Sequence, residues 1–71
     1  MYVFDPDKLK QAIGDRQVSA VAREARLTRN CIVKLLNGER SDPAASTLIK
    51  LAHTLRVRVE DLYVFKEVHD E

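Results

Sequence analysis

Only Arg26, Leu27 and Thr28 stand between two stretches with helical apolar spacing, and that shortness constrains the fold more than any other feature of the chain. Upstream, "QVSAVAREARL" sets Val18, Val21, Ala22 and Ala25 on one face and predicts a helix over Val18–Ala25. Downstream, Thr28 suits a helix N-cap and Asn37-Gly38 a helix stop. Between them Cys31, Ile32, Leu35 and Leu36 fall in one apolar arc at about 100° per residue. A connection this short forces the two helices to cross steeply. The small Ala22 and Ala25 permit a close helix approach, so the second helix of the pair is held outward from the body.

The rest of the pattern supplies that body. Asp5-Pro6 opens a first helix, with Leu9, Ala12 and Ile13 inward and Gly14 at its end. "AASTLIKLAHTLRV" reads as a fourth helix, entered through Asp42-Pro43, with Leu48, Leu51, Ala52 and Leu55 inward. "VEDLYVF" begins as a short fifth helix around Glu60–Tyr63 that docks Leu62. The expected fold is all-α, five short helices in a single domain over residues 1–65. Residues 66–71 are expected to form a short acidic tail that frays. The triplet "YVF" occurs twice, at Tyr2–Phe4 and Tyr63–Phe65. Both copies are β-prone and could pair as strands or act as apolar anchors in a dimer; coincidence is the simplest reading.

Composition excludes several functional classes. The 71 residues suit one small domain, and a 45% hydrophobic, 32% charged chain is globular rather than disordered. So small a core leaves little net stability, so self-association would help. With Cys31 the sole cysteine, no intrachain disulfide forms, and one Cys with two distant His cannot build a structural zinc site. There is no signal-peptide pattern and no apolar run near the roughly 20 residues of a membrane span, so a cytoplasmic location is expected. His53 and His69 have no acid or nucleophile arrangement beside them, and two glycines make no phosphate-cradling loop, so neither an enzyme nor a cofactor is expected. Cys31 reads as a small hydrophobe more readily than as a redox sensor. The net charge of +1 hides an asymmetry. Residues 60–71 set Lys66 against Glu60, Asp61, Glu67, Asp70 and Glu71, leaving a basic body of eleven cations against six acids.

The third helix carries the candidate chemistry. Opposite its apolar arc lie Arg29, Asn30, Val33, Lys34 and Asn37. Arginine offers a bidentate fork to guanine, asparagine a donor–acceptor pair to adenine, and Lys34 suits either a base or a phosphate. Thr28 at the helix start suits a phosphate oxygen, bound together with backbone N–H groups. The bland alternative is an amphipathic helix with a solvated polar side.

The segment Val21–Gly38, "VAREARLTRNCIVKLLNG", resembles the helix-turn-helix motif of the lambda repressor/Cro-type (XRE-like) family. Val21-Ala22 match its opening Leu-Ala pair, Leu27-Thr28 its Val-Ser, Ile32 its buried Ile and Gly38 its closing Gly. "SDPAASTLIKLAHTLRVRVEDL" is similar to the family's ending, so the likeness runs from about Lys8 to Leu62. The front half also resembles the LacI-type headpiece, but the fourth and fifth helices favour the repressor/Cro type. Three residues depart from the pattern. Arg26 stands where the turn often has glycine, Val18 where helix two often starts with a phosphate-binding Gln, and Leu36 where many relatives have Glu. Gln17 or Ser19 would have to replace the missing Gln contact. By the same resemblance Asn37, Arg40 and Ser41 approach the DNA backbone, while Lys8, Lys10 and Arg16 are weaker candidates for it.

The resemblance implies a five-helix, lambda-repressor-like domain that binds double-stranded DNA sequence-specifically. It implies a phage or bacterial Cro-like repressor that works by occupying its operator, with no small-molecule ligand. A homodimer on a pseudopalindromic operator is expected, with Tyr2, Phe4, Leu62, Tyr63 and Phe65 as interface candidates. Two alternatives keep the fold: an antitoxin-type protein, and an interaction module with weak or no DNA binding.

Overall fold

The computed structural model describes residues 1–40 and 42–67. In chain order the elements are β1 (Tyr2–Phe4), α1 (Pro6–Ile13), α2 (Val18–Ala25), α3 (Arg29–Leu36), α4 (Ala45–Leu55), a 3₁₀ helix (Val59–Leu62) and β2 (Tyr63–Phe65). Among the described residues the fold is therefore mostly helical, with four α-helices. The expected fifth helix is the single 3₁₀ turn, in which the Asp61 side chain accepts from the Arg58 N–H at 3.0 Å. A turn this short suits its job, which is to bury Leu62 and release an extended strand immediately afterwards.

The strict all-α expectation is corrected by the two YVF triplets, which pair as an antiparallel ribbon. Tyr2 faces Phe65, Val3 faces Val64 and Phe4 faces Tyr63. The repetition is what makes the register work. An aromatic–valine–aromatic triplet run antiparallel to its own copy sets aromatic against aromatic at both ends. Ring centroids lie 5.2 Å apart for Tyr2–Phe65 and 6.3 Å for Phe4–Tyr63, both edge-to-face. An isolated two-stranded ribbon is marginal in water. This one is anchored because Phe4 and Leu62 enter the core and the Asp5 N–H donates to Leu62 O at 2.9 Å. The ladder extends past β2, since the Lys66 N–H donates to Met1 O at 2.7 Å and the Met1 amine to Lys66 O at 3.1 Å. Lys66 is thus held in the ribbon, one residue beyond the expected domain boundary; residues 68–71 of the expected tail lie outside the described residues.

Helix starts follow local chemistry. Asp5 Oδ1 accepts from the Asp7 N–H at 3.0 Å, with Pro6 at the first helical position. Helix ends show a recurring motif. In α3, the Gly38 N–H reaches Leu35 O at 3.2 Å and the Glu39 N–H reaches Lys34 O at 3.0 Å. In α2, Arg26 bonds back to Arg23 O at 3.2 Å and Leu27 to Ala22 O at 2.8 Å; in α4, Arg56 bonds to His53 O at 3.3 Å and Val57 to Ala52 O at 3.0 Å. All three are Schellman closures, which need a left-handed residue just past the helix. Gly38 takes it at φ 74°, whereas Arg26 and Arg56 both take it at φ 58°. Leu27 and Val57 then fold back onto the core, the apolar contact that accompanies this motif.

The core joins all of these elements. Leu9, Val21, Ile32, Leu35, Leu48, Leu51 and Leu62 are fully buried, and α2 packs against both α3 and α4. Among the described residues no polar or charged side chain is buried, so burial is almost purely apolar.

Candidate nucleic-acid interface

The aim of α3 is fixed from within. Ile32 and Leu35 are fully buried, and Leu36 packs partly against the core. One face of a two-turn helix is thereby committed, and the opposite arc must face out. Arg29, Asn30 and Asn37 are exposed, and Val33 and Lys34 are half-buried. Cys31 is also half-buried, at the margin between the two arcs.

Thr28 starts this helix. Its Oγ1 accepts the Cys31 N–H at 3.1 Å. That leaves the hydroxyl proton to donate outward and leaves the first backbone N–H groups of α3 without intrahelical acceptors. The N-terminus of α3 therefore presents donors alongside the Arg29 guanidinium and the Asn30 amide, the chemistry that meets phosphate oxygens and base edges.

The flanks are less uniform. Gln17 and Ser19 are exposed at the start of α2, and Gln17 makes no side-chain cap bond. Arg16 pairs with Glu24 at 2.6 Å, both exposed, so the pair adds little stability but holds Arg16 toward α2. The Asn37 Nδ2 donates to Glu39 Oε2 at 3.4 Å, a long bond that a phosphate could displace. Arg40 is exposed in the loop after α3, and Ser41 lies outside the described residues.

Val18 and Leu36, two of the residues that depart from the family pattern, line one concavity with Ile13. It lies between the end of α1, the start of α2 and the end of α3, with Lys10 and Arg16 at its edge. The sequence pointed to each departure separately; their meeting at one place required the fold. Lys66 is the cation that sequence reasoning set aside, assigning it to a frayed tail. The available signal was the period of two along β2, which puts Lys66 on the same face as Val64.

The interface candidates divide by burial. Phe4 and Leu62 are consumed by the monomer core, because β1 and the 3₁₀ turn insert them beneath the ribbon. They cannot reach a partner in this fold. Tyr2 and Phe65 stand 73% and 56% exposed on the ribbon, with Tyr63 half-buried between them and the core.

Two packed helices joined by a left-handed turn at Arg26, the second with an outward polar arc, fit a helix-turn-helix domain. The chain matches the Cro/C1-type HTH DNA-binding domain over residues 8–67, and it belongs to that family. No curated protein and no solved structure matches it significantly. Among the described residues no cluster of His, Cys, Asp and Glu could hold a metal ion, and no helix is long and apolar enough to cross a membrane.

Proposed function

We propose that this DNA-binding domain is a sequence-specific transcriptional regulator of the Cro-like repressor kind, which blocks transcription by occupying its operator. The observation that carries the reading is the division of α3 into a buried arc, Ile32 and Leu35, and an outward arc, Arg29, Asn30, Val33 and Lys34. In this reading Arg29 and Asn30 read base edges in the major groove, Val33 makes an apolar contact such as a thymine methyl, and Lys34 serves a base or a phosphate. Thr28, Gln17, Ser19, Asn37, Arg40 and Ser41 hold the backbone and fix the register. Two copies act together on a pseudopalindromic site, with half-sites about one helical turn apart. The exposed Tyr2 and Phe65, with Tyr63, supply the surface for pairing, since aromatic groups left in water on so small a domain favour an interface.

The test is selection of bound duplexes from a random pool, followed by binding of Arg29→Ala to the selected sequence. The substitution should cost about 1–3 kcal/mol and relax preference at one base pair. Unchanged affinity and unchanged base preference would remove Arg29 from the reading set.

A further inference from the structure

The ribbon brings a cation to the exit of the recognition helix that lies far from it in sequence. Alternation along β2 turns Tyr63 and Phe65 to one face and Val64 and Lys66 to the other. On that second face Lys66 and Arg40 share a groove of about 300 Å³ with Val3, Phe4, Pro6 and Gly38. Among the described residues no carboxylate lines it, and the Glu39 side chain of the adjoining loop bonds Asn37. The Lys66 backbone is fixed from both sides by Met1, at 2.7 and 3.1 Å. The floor is open at Gly38, where even an added Cβ would meet nothing within 4 Å.

We infer that this groove is a DNA backbone seat outside the helix-turn-helix, with Lys66 as a phosphate-binding residue beside Arg40. The inference rests on the DNA-binding reading above and extends it to the β ribbon. The chemistry fits a sugar–phosphate strand. Two cations sit where phosphate oxygens need counter-charge, and Val3 and Pro6 give an apolar wall suited to the carbon face of a deoxyribose. The location fits as well. The groove opens at the loop that leaves α3, so Arg40 and Lys66 stand beside the exit of the helix that would enter the major groove. The ribbon then has a role beyond closing the core, since it carries a phosphate contact into the interface.

The test is the salt dependence of binding to a short mixed-sequence DNA duplex, measured for the unsubstituted chain, Lys66→Ala, Lys66→Arg and Lys50→Ala. Lys50 is an exposed cation on α4 and matches the change in net charge without touching the groove. Loss of one phosphate contact should reduce the slope of log K against log salt by about 0.9. Lys66→Ala should show that reduction, Lys66→Arg should keep the original slope, and Lys50→Ala should stay near it. Melting temperature should not move in Lys66→Ala, because the bonds that hold residue 66 are made by its backbone. Equal slopes for Lys66→Ala and Lys50→Ala would overturn the seat while leaving the recognition helix intact. Failure of the unsubstituted chain to bind any duplex would overturn the DNA-binding reading and this inference with it.

Discussion

Arg26 and Arg56 occupy a backbone conformation that Gly38 occupies in the same motif, and this makes a quantitative test of how the helix ends are built. An L-residue in the left-handed region is disfavoured by roughly 1–2 kcal/mol. Glycine escapes that cost but loses about 0.5–1 kcal/mol of additional chain entropy on folding. The expected net gain is about 0.5–1 kcal/mol per site. Arginine complicates a direct Arg→Gly comparison, because a cation at a helix C-terminus gains about 0.3–1 kcal/mol from the helix dipole. Alanine removes the charge and keeps the Cβ, so the informative quantity is the difference between the Gly and Ala variants at one position. At Arg26 and again at Arg56 the Gly variant should be the more stable by about 0.5–1 kcal/mol, a rise of roughly 2–8 °C in a domain of this size. Gly38→Ala should lose a similar amount, and that loss is purely conformational because the new Cβ has open space around it. Thermal unfolding followed by far-ultraviolet circular dichroism reads all five variants. If alanine equals or exceeds glycine at both arginine sites, or if Gly38→Ala is neutral, the left-handed closures do not carry the strain assigned to them.

Two other predictions follow from the same structure. Thr28→Ala removes the side-chain acceptor of the Cys31 N–H, which also reaches Thr28 O at 3.1 Å, and should cost about 1 kcal/mol of stability by denaturant titration, with Thr28→Ser close to the unsubstituted chain. Tyr2→Ser combined with Phe65→Ser should dissociate a dimer built on the ribbon while costing the monomer only about 0.5–1.5 kcal/mol for the lost ring pair. Sedimentation velocity reads the first effect, and an unchanged dimer would move the interface elsewhere. Truncation after Leu62 is a poor substitute for this experiment, because it removes the strand that holds Phe4 and β1 in place.

The helical frame was legible because its signals are local. Thr28 as a cap, Pro6 at a first turn, Gly14 and Gly38 at ends and apolar residues at helical spacing each act within a few residues, and the observed α1, α2 and α3 follow them. Arg26 was legible as an anomaly, and the left-handed φ shows that the turn keeps its shape and accepts the unfavourable residue. Arg56 drew no notice, because no glycine expectation had been attached to the end of the fourth helix; the same closure there is visible only from backbone angles. Pairing of the two YVF triplets was one open reading with coincidence the simpler one, because the pairing joins residues about sixty apart and three-residue strands have too little periodicity to declare themselves. Its clue was the repetition of YVF, which becomes meaningful only when one copy is run antiparallel to the other. Preferring coincidence to pairing had two consequences for the site. Phe4 and Leu62 read as surface anchors in sequence, yet the core uses them, and Lys66 reads as a tail residue, yet the ladder carries it to the loop after α3.

The claim on which the functional account turns is that α3 presents Arg29, Asn30, Val33 and Lys34 to DNA because Ile32 and Leu35 hold its other face. Amide chemical-shift mapping of the full chain, titrated with a selected duplex, tests it most directly. The account predicts that the largest changes fall on Thr28–Lys34, with further changes at Gln17, Ser19 and Arg40. Changes that avoid residues 28–34 and centre on α4 would contradict it.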